Sequence, residues 1–514
     1  MKHFYPIPHP LLRRMIVPVT IIALLLSSCL PELPPMEENN PPQESAPEPV
    51  PAEPTLPLPT PLPTRPAFQP GEQVDYIAQT GDTLDALASR FHTTIDELRA
   101  ANPIIPDSAT TMPPGMPMKI PIYYRPLWGS PFQILPDSLF INGPAQSGFD
   151  PVAFVDAQPG WLKFYTATAG GDERRGGEII AFVAENYSIS PRLLLAVAEY
   201  QTGALSQPVP PSEDARYLLG KSDFRKQGFY RQMTWAADLL NDSYYRWRIG
   251  SLEMFEHIDG RLERPDPWQN AASVALQNYY SRMFDGDDYL RAVSEVGLAK
   301  TYADLFGDPW AGEQPHIPGS LVQPAMQLPF EPNLYWAYTG GPHNSWGEEI
   351  SPMSAIDFAP PAVVGGCSKS DQWATAVADG VIARSGAAQV ILDLDGDGDE
   401  RTGWTVYYLH LESPSLPPVG TVMKAGDRIG IPSCEGGRST GTHVHIARKY
   451  NGEWMLAGGV LAFNLEGWIA HNGSRPYEGT LTRAGETVNA CVCSDQRSQI
   501  KTIGPAVVLP QTSP

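Results

Sequence analysis

Positive charge is in short supply: 36 Lys and Arg stand against 57 Asp and Glu, for a formal charge of −21 and a pI near 4.9. A chain this acidic is repelled by phosphate backbones and anionic headgroups, which excludes nucleic acid as a partner and electrostatic docking on a lipid surface. Long apolar runs are equally scarce. Met15 to Leu26 is too short for a comfortable membrane span; behind Lys2, Arg13 and Arg14 it has the form of an export signal. Histidine is sparse, with ten in 514 residues. Cysteine is sparser still, at five. Beyond Cys29, the four that remain are Cys367, Cys434, Cys491 and Cys493, and an even number in an exported chain favours two disulfides over metal ligation or a reactive thiol. Three connectivities are open. Because a Cys491–Cys493 bridge closes a very tight ring, the expectation is that each of these two bonds to one of Cys367 and Cys434. A chain of this length should hold several domains of about 100–200 residues.

What is present is a concentration of histidine. His443-Val444-His445 lies in Gly436-Gly437-Arg438-Ser439-Thr440-Gly441-Thr442-His443-Val444-His445, and strand residues two apart share a face, so the two imidazoles point to one spot. Upstream lie His343 in Gly340-Gly341-Pro342-His343, Asp357 in Ser354-Ala355-Ile356-Asp357-Phe358, and His410 in Val406-Tyr407-Tyr408-Leu409-His410-Leu411. Several imidazoles and one carboxylate suit a catalytic Zn²⁺, which takes three protein ligands and leaves one position open.

From Trp336 to Gly479 these motifs, with Ala376-Val377-Ala378-Asp379-Gly380-Val381-Ile382 and Val419-Gly420-Thr421-Val422-Met423-Lys424-Ala425-Gly426-Asp427, resemble the zinc endopeptidases of the lysostaphin and β-lytic type, which cut peptide bonds in bacterial cell walls. The resemblance implies His343, Asp357 and His445 as metal ligands and His410 and His443 as the unligated catalytic pair. The commoner family pattern has a His four residues before the Asp, where this chain has Met353. The β-lytic branch instead carries its ligand in a Gly-Gly-x-His segment well upstream, as His343 is here.

Leu26-Ser27-Ser28-Cys29 resembles the bacterial lipoprotein processing site, which implies that Cys29 becomes the acylated first residue of the mature chain. Residues 31–70 carry 15 prolines in 40 positions, a composition that buries no core and predicts an extended tether over 30–73 reaching about 100 Å. Residues 74–122 resemble the LysM module, a βααβ unit for N-acetylglucosamine-containing glycans, through Tyr76 to Leu84, Leu98, Asn102-Pro103, Pro114-Gly115 and Lys119-Ile120-Pro121. Asp82 or Thr83 caps its first helix, and Leu84, Leu87, Ala88 and Phe91 form its apolar stripe. The glycan is expected near Gly81, Asp82, Thr83, Leu84, Asn102 and Ile104.

Residues 123–318 read as helical. Ser190-Pro191 followed by Arg192 to Glu199 predicts a helix start with Pro at its first position, and that helix is similar to the signature helix of lytic transglycosylases. The position of their acid is Gln201, which cannot protonate a glycosidic oxygen; Glu199 lies on another side of the helix. A lysozyme-like domain without hydrolytic activity is expected. Phe229, Tyr230 and Trp235, or Tyr244, Tyr245 and Trp247, either stack sugars or pack helices. Asp393, Asp395, Asp397 and Asp399 resemble the opening of a Ca²⁺ loop. Trp404 stands where the bidentate Glu belongs, so a hairpin tip between two strands is the favoured reading and Ca²⁺ a secondary one.

The expected architecture is therefore multidomain: an antiparallel all-β peptidase domain over 319–495 with a tail over 496–514, preceded by the helical lysozyme-like domain and the LysM module. The expected function is a peptidoglycan endopeptidase anchored through Cys29 to the outer face of the cell membrane, reaching into the wall. The alternatives are a non-catalytic lipoprotein activator of a separate wall amidase and a glycan-binding scaffold.

Overall fold

The computed structural model describes residue 59 and residues 65–123, 125, 128–211, 215–493 and 495–502. The export segment, Cys29 and most of the tether lie outside the described residues.

The module at the front is βααβ. Strand β1 (Glu72–Ile77) pairs antiparallel with β2 (Pro117–Ile122). Helix α1 (Leu84–Phe91) starts at Thr83, whose side chain accepts from Ala86 N–H, so Thr83 is the cap. Helix α2 (Ile95–Ala101) starts at Thr94 in a capping box with Glu97, which satisfies two otherwise unpaired donors. Leu84, Leu87, Ala88 and Phe91 are buried as the stripe requires.

The next region is mainly helical, with α3 (Pro151–Asp156), α4 (Gly176–Tyr187), α5 (Pro191–Thr202), α6 (Phe229–Arg248), α7 (Ala271–Ser281), α8 (Gly286–Ala292) and α9 (Leu298–Phe306). Pro191 is the first residue of α5, and Ser190 caps it by accepting from Leu193 N–H. At the far end of α5, Tyr279 donates its hydroxyl hydrogen to Gln201 Oε1 at 2.7 Å. Glu199 is taken up by the N–H groups of Leu205 and Ser206. The aromatic sets resolve towards packing: Phe229, Tyr244, Tyr245 and Trp247 are buried in the helical core, while Tyr230 and Trp235 are partly buried against it.

The C-terminal region is built on one nine-stranded antiparallel sheet. Its strands are β3 (Tyr335–Asn344), β4 (Met353–Ala359), β5 (Gly380–Gly386), β6 (Gln389–Asp393), β7 (Trp404–Leu409), β8 (Val422–Met423), β9 (Val444–Tyr450), β10 (Glu453–Met455) and β11 (Gln499–Lys501). The order is β8-β5-β6-β7-β9-β4-β3-β11, with β10 also on β9. The expected tail thus begins by adding an edge strand, because β11 pairs with β3. The motif run Ala376 to Ile382 enters the sheet only from Gly380 onward.

Alternation sorts the sheet into two faces. Ala355, Ile391, Tyr407, Leu409 and Ala447 join the helical core, whereas Ile356, Val390, Leu392, Val406, Tyr408 and Ile446 join a second core with Leu465, Trp468, Ala470 and Leu481. A sheet covered on both faces explains why its central strands β6, β7 and β9 are buried almost from end to end.

The expected disulfide pairing is corrected, while the acidic segment forms the hairpin expected of it. The disulfides are Cys367–Cys434, with Cα atoms 5.7 Å apart, and Cys491–Cys493, with Cα atoms 5.1 Å apart. Backbone bonds decide this: Thr442 N–H to the Gly366 carbonyl and the Ser433–His443 bridge bring the first pair together, while Cys491 N–H is held by the Tyr338 carbonyl. The acidic segment 393–399 is a hairpin tip between β6 and β7. Its carboxylates are used locally: Asp393 accepts from Asp395 and Gly398 N–H, Asp395 from Asp397 N–H, Asp397 from Asp399 N–H, and Asp399 from Arg401 and Ser147. Ca²⁺ finds no support in that arrangement.

Candidate active site

Four neighbouring strands, β7, β9, β4 and β3, aim the five expected residues at one point. His445 on β9 faces Asp357 on β4 across one ladder and Leu409 on β7 across the other. His410 follows Leu409 in the left-handed region, with φ 65°, and His443 sits just before β9. His343 is turned inward by register slips between β3 and β4 on both sides of it, which re-aim side chains as bulges do. Gly340 pairs with Asp357, and a Cβ there would overlap the Asp357 carboxylate. Only glycine leaves that space.

His343 Nε2 lies 3.0 Å from His445 Nδ1 and 3.3 Å from Asp357 Oδ1, and His445 Nδ1 lies 3.2 Å from the same oxygen. Donor atoms about 2.1 Å from a tetrahedral Zn²⁺ would be about 3.4 Å apart, so the triangle fits. The lone pairs point the same way. His343 Nδ1 is 2.8 Å from the Gly341 carbonyl, an acceptor, so Nδ1 carries the hydrogen and Nε2 is free to ligate. Asp357 Oδ1 is buried and accepts no hydrogen bond; a buried carboxylate oxygen beside two ring nitrogens calls for a cation. Burial pushes the Asp357 carboxyl upward, but the His343 and His443 rings outweigh it and hold the group well below the usual carboxylate range.

The other two imidazoles are prepared differently. His410 Nδ1 lies 2.7 Å from the Glu435 carbonyl, and His443 Nδ1 lies 2.7 Å from the Gly441 carbonyl. Each Nδ1 therefore donates, and each Nε2 keeps a lone pair. Burial, aided by His443 and His445, lowers His410 to about 4, so it is a neutral base near neutral pH. The two rings are 4.6 Å apart. An open cleft of about 290 Å³, lined by Lys369, Glu412, Ser433, Glu435 and Thr442, adjoins them.

Tyr477 was not legible as part of the site. Its ring stacks on His343 at 4.0 Å, its N–H donates to the Pro342 carbonyl, and its carbonyl accepts from Gly341 N–H. It lies 120 residues after Asp357 in the chain, and no spacing rule links the two. The one usable signal is the pair Gly340-Gly341, since a Cβ on Gly341 would overlap the Glu478 carbonyl.

The expected glycan residues are mostly committed internally. Asp82 is buried and accepts from Tyr76, Gln79 and Arg90; Asn102 is bound to Leu98 and Lys119; Leu84 is core and Thr83 is the cap. Ile104 is exposed, and Gly81 faces the Arg248 guanidinium.

Residues 76–121 match the model of the LysM domain, and residues 133–319 that of the LasA N-terminal domain. The chain is similar to "Protease LasA" of Pseudomonas aeruginosa (strain UCBPP-PA14), 26% identical over 352 residues that cover 63% of this chain and 76% of the relative. It is also similar to "Beta-lytic metalloendopeptidase" of Lysobacter enzymogenes, 28% identical over 142 residues that cover 26% of this chain and 74% of the relative. A solved structure titled "A Novel M23 Metalloprotease Pseudoalterin from Deep-sea" aligns with 33% of this chain and 96% of its own at 25% identity, with a TM-score of 0.28. A LysM domain and a LasA-type N-terminal region thus follow one another along the sequence, and the chain is similar to LasA-like metallopeptidases.

Proposed function

We propose that this chain hydrolyses peptide bonds of peptidoglycan at a Zn²⁺ held by His343, Asp357 and His445. The observation that carries the reading is the triangle of three candidate donor atoms 3.0–3.3 Å apart with two further Nε2 lone pairs beside it. When bound, Zn²⁺ supplies Lewis-acid chemistry, lowering the pKa of water and polarising a carbonyl. The protein's own groups do the rest. His443 Nε2, 3.8 Å from Asp357 Oδ1, takes the proton of the attacking water, and His410 Nε2 shares that proton and returns it to the leaving amine. The Gly341, Gly441 and Glu435 carbonyls keep three rings in the required tautomer. The Tyr477 ring, stacked on His343, restrains that imidazole.

The surrounding parts fit wall chemistry. The LysM domain brings the enzyme to glycan, and the cleft beside His410 receives peptide. The helical region contributes no second hydrolase, because Gln201 is bound to Tyr279 and Glu199 caps a turn. Acylated Cys29 and the proline-rich tether would hold the protein at the outer face of the membrane; a Cys29→Ala variant that still labels with palmitate would refute that placement.

Mass spectrometry of purified wall after digestion tests the whole reading. New amino termini should appear with the wild type and be absent with His445→Ala. Indistinguishable digests would move the chain to the non-catalytic alternatives.

A further inference from the structure

The segment that leaves the helical region does not pass freely to the sheet. His316 to Leu321 lies across the two LysM loops, β1–α1 and α2–β2, that would meet a glycan. Thr80 Oγ1 accepts from Ile317 N–H at 3.0 Å. Thr111 Oγ1 donates to the Pro318 carbonyl at 2.8 Å and accepts from Leu321 N–H at 3.1 Å. The Thr111 carbonyl accepts from Ser320 N–H at 2.8 Å, and Thr110 Oγ1 donates to the Leu321 carbonyl at 2.7 Å. Main-chain groups are being read by loop hydroxyls, as an extended ligand is read by a receptor. Thr80 and Thr111 are consequently 6% and 2% exposed. The fit is close: a Cβ on Gly319 would lie 2.7 Å from Pro113 Cα.

The other side of the segment belongs to the peptidase. Ile317 and Leu321 form an apolar cluster with Trp404, Met455 and Leu461, and His316 Nε2 is 2.6 Å from Glu453. Pro318 and Ser320 stay exposed at the surface, so a competitor can approach from outside. Arg248 adds to the cover by reaching the Thr80 carbonyl next to Gly81.

We propose that residues 316–321 are a built-in strap that occupies the LysM ligand face, so that wall glycan binds only by displacing it. The proposal rests on reading residues 76–121 as a glycan-binding module. Displacement would also loosen the strap's hold on Trp404 and Met455, linking wall capture to the peptidase region. A strap seated 99% of the time lowers apparent glycan affinity about 100-fold, because only the open fraction binds.

The test uses the full chain and an N-acetylglucosamine hexamer. Calorimetry should show Gly319→Val binding the hexamer at least about tenfold more tightly than the wild type. In the wild type itself, hydrogen exchange should find the Ile317, Ser320 and Leu321 amides protected and then released by saturating hexamer, while α1 amides stay protected. This second readout stands even where the variant folds poorly. Equal affinities with strap amides that ignore the hexamer would overturn the strap and leave the glycan reading intact. If neither protein binds the hexamer, the glycan reading of the module fails, and the strap proposal with it.

Discussion

Gly340 and Tyr477 both pack against the proposed metal triangle, one by leaving room for the Asp357 carboxylate and the other by stacking its ring on His343. Gly340→Ala should push the Asp357 carboxylate out of line, and the protein should lose most of its zinc on dialysis while keeping its circular dichroism. Tyr477→Ala should weaken zinc about 10- to 100-fold, the usual effect of removing a group that orients a ligand. Tyr477→Phe, which keeps the stack on His343, should stay near wild type in a competitive zinc titration. The convergence of the proposed ligands was legible because residue type and spacing announce it. His443-Val444-His445 places two rings on one side of a strand, and Asp357 turns out to face His445 across the neighbouring ladder. Tyr477 was not legible because its contact with His343 is made by folding over a distance that carries no local period.

At the scale of elements, the loop 434–443 that delivers His443 is held by Cys367–Cys434. A crosslink over a separation of 67 residues restricts the unfolded chain by about 4 kcal/mol at most. Cys367→Ser with Cys434→Ser should therefore lower the melting temperature and cut peptidase activity together. Removing Cys491 and Cys493 should leave activity within about twofold, because their bridge spans only one intervening residue. Sequence reasoning went wrong here by treating the tight ring as prohibitive. What it could not see was that the Thr442–Gly366 bond already fixes Cys434 beside Cys367. Strand positions were legible where Val, Ile and Tyr run together, as in β6, β7 and β9. The edge strand β11 was not, since Gln499-Ile500-Lys501 is short and polar and becomes a strand only by pairing with β3. The aromatic sets of α6 were ambiguous for a related reason: a ring that stacks on sugar and a ring that fills a core look alike until burial is known.

At the scale of the molecule, Glu453 is where three regions meet. Its carboxylate accepts from Arg248 at the end of α6, from Tyr244, and from His316 at the strap, while Arg248 also reaches Thr80 of the LysM domain. Burial pushes the Glu453 carboxyl up, but Arg248, followed by His316 and Tyr244, brings it down to about 2. The folded form thus binds fewer protons than the unfolded form between the ordinary value of 4.5 and about 2. The stability it contributes is complete above that window and is lost as pH falls through it. Urea midpoints measured from pH 5 to pH 2 should decline, and Glu453→Gln should start lower and decline less steeply; an unchanged slope would remove Glu453 from the account. None of this junction was legible, because a lone Glu in Gly452-Glu453-Trp454 reads as surface charge until partners from distant stretches surround it.

Metal content tests most directly whether a single Zn²⁺ sits at the His343–Asp357–His445 triangle. Protein dialysed against trace zinc, stripped of loosely held ions and analysed by plasma mass spectrometry should carry one zinc per chain, with Asp357→Ala carrying close to none. A wild-type chain that retains no zinc, or a variant that retains as much as the wild type, would contradict it.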